Sequence, residues 1–162
     1  MRLSEGVEWA SHCVVVLAGL PEGMTLPAGR LAELHGVPGP YLAKALQALA
    51  RAGIVRSSSG RYGGYQLARP ASDITMLDVV EAVEGGDELF RCTEIRKQMP
   101  IRRPSDTFPP VCAIAAVMHR AEAAWRAELA ATTVADVVGN LLTQLPPDAG
   151  DRLMTWLSPT SG

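Results

Sequence analysis

PYLAKALQALARAGIVRSSSGRYGGYQLARPASDITMLDVVEAVEG, residues 40–85, is the stretch on which the fold turns. In its first third Leu42, Ala45, Leu46 and Leu49 recur at i, i+3, i+4 and i+7, the period of a helix with one buried face, and Gly53 stops it. Residues 54–70 then set two short alternating runs on either side of a Ser/Gly-rich turn. That is the pattern of a β-hairpin, with Gly63 and Gly64 allowing a tight twist of the backbone. A helix over 74–86 follows, capped by Asp73 or Thr75 and ended by paired glycines.

Working upstream, residues 4–18 read as a first helix with Ser4 at its N-cap and an apolar stripe of Val7, Ala10, Val14 and Leu17. A second helix runs from Pro27 to His35 and stops at Gly36, only a few residues before the third begins. Three helices followed by a hairpin is the order of a winged helix-turn-helix, and the short link sets one helix across the next. Downstream, Cys92 opens a nineteen-residue run, TEIRKQMPIRRPSDTFPPV, with four prolines and no helical or strand period. From Cys112 an Ala-rich helix extends to about Ala130. Its stripe of Ile114, Val117, Ala121, Trp125 and Leu129 calls for a partner, most simply the same helix of a second subunit. Two shorter helical pieces, within 133–144 and 151–157, are expected to pack back on the body.

Composition agrees with a globular chain of 162 residues: 48% hydrophobic, 20% charged, and no apolar run of the roughly 20 residues that a bilayer span needs. Glu5, Glu8 and His12 interrupt the N-terminal apolar stretch, so it does not read as a signal peptide, and a cytoplasmic protein is expected. Three cysteines at wide spacing exclude a secreted disulfide scaffold. Charge is divided unevenly. Residues 1–70 hold seven Lys/Arg against four Asp/Glu, whereas 71–162 hold eight against thirteen, so the first part is the one suited to an anionic partner.

A helix that enters the DNA major groove presents its exposed residues there, which on 39–51 are Tyr41, Lys44, Gln47 and Arg51. Lys44 and Tyr41 suit phosphates or base edges, and Gln47 carries the amide that pairs with adenine. Arg56 and Arg61 flank the hairpin tip, within reach of a neighbouring minor groove. A metalloenzyme built on Glu8, His12 and Cys92 would leave that face unexplained, and the chain has no HExxH or nucleophile arrangement. No enzymatic activity is expected.

With its helix, Gly-Gly wing and ITMLDVVEAVEG segment in that order, the chain resembles the iron-sulfur winged-helix repressors typified by IscR and NsrR over residues 1 to about 132. The resemblance implies a homodimeric transcriptional regulator that reads a roughly palindromic duplex site. It divides the chain into a DNA-binding domain (1–86), a sensor loop (87–112), a dimerisation helix (113–132) and a C-terminal helical segment (133–162). The expected fold is mainly α with a small β-hairpin wing and a long dimerisation helix.

The family's usual sensor has three clustered cysteines, and this chain departs from that. Only Cys92 and Cys112 fall in the segment, two of the four terminal ligands that a 2Fe-2S cluster requires. Glu8 and His12 stand at i and i+4 on one face of the first helix, almost opposite its core stripe and close enough to share a metal. Resemblance to a redox-sensing branch of the family, through VEWASHC and FRCTEIR, implies a 2Fe-2S cluster on Cys92 and Cys112 of one chain and Glu8 and His12 of its partner. The residues alone leave other donors open: His119 lies two turns from Cys112, Glu94 is next but one to Cys92, and Cys13 adjoins His12. Trp9, beside Glu8, is a candidate redox relay as well as an ordinary core aromatic. Cluster-free sensing by thiol oxidation or zinc at the same residues is the competing mechanism.

Overall fold

The computed structural model describes residues 2–60 and 63–157. Helices α1 (Glu5–Ala18), α2 (Ala28–His35) and α3 (Gly39–Arg51) precede a two-stranded antiparallel hairpin, β1 (Val55–Ser58) and β2 (Gly64–Leu67). Helices α4 (Met76–Glu84), α5 (Ala113–Ala131), α6 (Val134–Gln144) and α7 (Ala149–Leu157) follow. This is the winged helix-turn-helix that the sequence predicts, with the long helix after it.

Val7, Ala10, Val14 and Leu17 of α1 are buried as their spacing requires, and the last three meet Leu42, Ala45, Leu46 and Leu49 of α3 in one core. Each fully buried leucine here contributes roughly 1.5–3 kcal/mol relative to exposure. α2 begins one residue later than expected, at Ala28, with Pro27 extended in the N-cap position, and Gly36 ends it in the left-handed region at φ 64°, where a side chain would be strained. The hairpin runs in register from Val55 opposite Leu67 to Ser58 opposite Gly64. Leu26 adds a bridge to Tyr65, and the chain crosses so closely there that a Cβ on Gly64 would collide with the Leu26 backbone.

Of the two expected caps for α4, Thr75 is the one used. Its hydroxyl accepts from the Asp78 N–H at 3.1 Å while the Asp78 carboxylate accepts from the Thr75 N–H at 2.9 Å. Ser4 occupies the N-cap position of α1 without capping it, because its hydroxyl and N–H both donate to Glu84 at 2.5 and 2.9 Å and thus tie α1 to the end of α4. Thr133 and Asp136 repeat the reciprocal cap on α6. α5 is anchored by an ion pair between Arg126 and Glu81 of α4, yet buries only Ala115 among its residues. Its expected stripe is divided. Ile114 and Val117 are exposed, whereas Trp125 and Leu129 are half-buried. α7 does pack back: Leu157 is buried, and the Arg30 guanidinium of α2 lies 3.8 Å from the Trp156 ring centroid and donates to the Trp156 carbonyl at 2.6 Å.

Candidate functional site

Tyr41, Lys44, Gln47 and Arg51 all stand exposed on α3, because the apolar residues between them take the buried face. Arg56 is exposed on β1, and Arg61 lies outside the described residues. The Lys44 ammonium sits 5.7 Å over the Tyr41 ring, and Tyr41 in turn meets Trp9 of α1 edge to face, centroids 6.2 Å apart. A cleft of about 410 Å³ opens beside them, lined by Gly6, Trp9, Tyr41, Lys44, Ala48 and Arg51. The exposed face of α3 is thereby in mechanical contact with α1.

Glu8 and His12 are both exposed on α1, next to half-buried Trp9. His12 also meets His35, the last residue of α2, with ring centroids 5.6 Å apart. The His35 Nε2 is buried with no hydrogen-bond partner in the structure, and burial, followed by the nearby His12, pushes its pKa down. His35 had no signal in the sequence beyond its place before Gly36, since contact with His12 comes only from the crossing of α1 and α2.

The loop between α4 and α5 is irregular apart from a short 3-10 turn over Ile95–Gln98. Even so it brings Cys92 and Cys112 together on the wall of one recess, near enough for each to influence the other. Cys112 is the residue before α5, where the N–H groups of Ala115 and Ile114 point at its sulfur and pull the thiol pKa down, assisted by Arg96. Phe90, Ile95, Met99 and Ile114 wall an apolar recess of about 470 Å³ over the two sulfurs. A Cys112 thiol whose pKa is pulled down, a second sulfur on the same recess and a largely apolar surround suit this pair to a soft metal centre.

Three other donors weighed on spacing are differently placed. Cys13 is buried in the core, where desolvation pushes its thiol up to about 12. Glu94 accepts two hydrogen bonds from Arg96, and His119 packs against Phe90 with centroids 6.2 Å apart. Among the described residues of one chain, no three His, Cys, Asp or Glu side chains gather as a metal site, and the cysteine pair does not meet the Glu8/His12 pair in one.

The family model described as "Rrf2: Iron-dependent Transcriptional regulator" matches residues 3–140. The "Putative HTH-type transcriptional regulator Rv1287" of Mycobacterium tuberculosis is 33% identical over 144 residues, covering 89% of this chain and 85% of that one. Among solved structures, IscR of T. potens superposes with a TM-score of 0.69 at 23% identity, over 90% of this chain and 93% of the other. CymR, the global cysteine regulator of B. subtilis, does so with a TM-score of 0.66 at 23% identity, over 86% and 98%. At that identity the two structures speak for the fold.

Proposed function

The chain belongs to the Rrf2 family of DNA-binding transcriptional regulators and is not an enzyme, and on that premise we propose that it is a homodimer whose affinity for a roughly palindromic operator is switched by the redox state or presence of a 2Fe-2S cluster. Cys92 and Cys112 of one chain would hold one iron, and Glu8 and His12 of the partner the other. One observation carries this reading: each chain presents two incomplete donor pairs, half-buried Cys92/Cys112 and exposed Glu8/His12, and the second stands on the helix that touches the recognition helix through Trp9 and Tyr41.

When bound, such a cluster supplies a one-electron change of charge at the interface between protomers. The protein's own part is mechanical and electrostatic. Glu8 and His12 orient α1 toward the partner, and a carboxylate drawn out of water there stays charged only if it is paired. Trp9 passes any shift of α1 to Tyr41, and the His12–His35 contact passes it to the end of α2, so both helices of the helix-turn-helix follow. Exposed Ile114, Val117 and Met118 on α5 offer the apolar surface that a second protomer would cover. Tyr41, Lys44, Gln47 and Arg51, with Arg56 and Arg61 on the wing, would meet the duplex.

Protein prepared without oxygen tests this directly. A red-brown preparation with about two irons and two sulfides per chain, whose operator affinity changes on mild reduction, is the expected result. A colourless preparation, or equal affinity of oxidised, reduced and cluster-free protein, would reject it. The closeness of Cys92 and Cys112 on one recess favours one second reading, a cluster-free regulator that senses through thiol oxidation or zinc. Colourless protein that responds to peroxide or to zinc would establish that alternative.

A further inference from the structure

Nineteen residues separate Cys92 from Cys112, and a chain of that length without regular structure holds its ends together only at an entropic cost. The contacts of one side chain offset it. Arg96 donates from Nε to Glu94 at 2.8 Å and from a terminal nitrogen to the other Glu94 carboxylate oxygen at 3.1 Å. The same terminal nitrogen donates across the loop to the Pro109 carbonyl at 2.7 Å, and the guanidinium lies 5.4 Å from the Phe108 ring centroid. Only 17% of this long cationic side chain is exposed. Glu94 adopts a left-handed backbone at φ 54°, the sole non-glycine residue to do so among those described, and that conformation turns its carboxylate back onto Arg96.

From this geometry we propose that Arg96, held by Glu94, is the positioning residue that assembles the Cys92/Cys112 donor pair before any inorganic group arrives. Tying residue 96 to residue 109 closes the long excursion on itself, and the two cysteines are left just outside the tie, one on each side. Flexible chain between the sulfurs is thereby reduced to two short arms. A planar guanidinium is suited to the task, since one fork reaches a carboxylate and a carbonyl at once while a face rests on an aromatic ring. Lysine would retain the positive charge and lose the fork. The proposal takes from the preceding reading only that the two cysteines act as a pair.

Metal-free, reduced full-length protein provides the test, with a short bifunctional alkyl bromide that fluoresces only after two thiolates have displaced both bromides. A monofunctional analogue measures the reactivity of each thiol separately. Cys13 stays silent in both assays because it is buried. Bridging in Arg96→Lys and Arg96→Ala is expected to slow by on the order of tenfold relative to the native chain after correction for the monofunctional rates, as lost proximity predicts. Glu94→Gln should slow it less. Unchanged bridging in Arg96→Lys, checked for folding by its thermal melt, would overturn the proposal. A fall fully accounted for by the monofunctional rates would overturn it too, because Arg96 would then only activate the thiols. Neither result depends on iron, so colourless native protein would reject the cluster reading and leave this one standing.

Discussion

Trp9 of α1 and Tyr41 of α3 meet edge to face, their ring centroids 6.2 Å apart and their planes at 63°, one residue along the helix from Glu8. The contact joins the helix that carries Glu8 and His12, the donors proposed above, to the helix expected in the major groove. Replacing Tyr41 by Phe keeps the ring pair and should preserve any redox dependence of operator binding. Trp9→Ala removes a pair worth about 0.5–1.5 kcal/mol beyond its burial and should bring the oxidised and reduced affinities together. Gel shifts of both variants in both redox states check this.

Lys44 and Gln47 are exposed on one face of α3 but carry different chemistry. Lys44→Ala should weaken binding to all duplexes alike and flatten the plot of log affinity against log salt by about one unit of slope, the signature of one lost phosphate contact. Gln47→Ala should leave the salt slope intact and cost about 1–3 kcal/mol of discrimination at one base pair. Salt titrations on an operator and on single-base variants separate the two.

His12 and the two half-buried thiols of Cys92 and Cys112 make different contributions to the proposed shared centre. Cys92→Ser or Cys112→Ser should give colourless protein, since each removes one of two sulfurs on the same iron. His12→Ala should shift the visible bands. Unaltered bands in that variant would assign the nitrogen donor to another residue, His119 first.

Asp78 links the reciprocal cap of α4 to Arg69, whose guanidinium reaches it at 3.1 Å. Burial alone would raise the carboxyl pKa, but hydrogen bonds from Thr75 and the Arg69 charge outweigh it, and the net shift is downward. A carboxyl whose folded pKa is depressed adds stability above its ordinary titration range and loses that contribution as pH falls through the folded value. Asp78→Asn should therefore be less stable than the native chain near neutrality, with the gap closing in strongly acidic solution. Thr75→Ala should cost about 1 kcal/mol. Urea melts across a pH series read both.

Trp156 covers α2 through the Arg30 guanidinium, with Leu157 buried beside it. Trp156→Ala is expected to lower stability by about 2 kcal/mol, from lost packing and the lost cation–π contact together. Chemical denaturation checks the magnitude, and Trp156→Phe should recover part of it.

The sequence by itself determined the elements whose cause is local. Leu42, Ala45, Leu46 and Leu49 announce α3 by their spacing, Gly36 marks the end of α2, and the glycines of the wing are required by a turn and by a close approach to Leu26. It also supplied Glu8, His12, Cys92 and Cys112 as chemically apt donors, because residue type and helical offset are visible in one dimension. Tertiary structure alone decided what those residues touch. The meeting of Cys92 with Cys112, the latch of Arg96 across its loop, the contact of His12 with His35 and the seat of Trp156 on Arg30 join residues 13 to 126 positions apart. No periodicity encodes such pairs. They arise when helices cross and loops close, and the free energy that selects them belongs to the packed whole rather than to any segment.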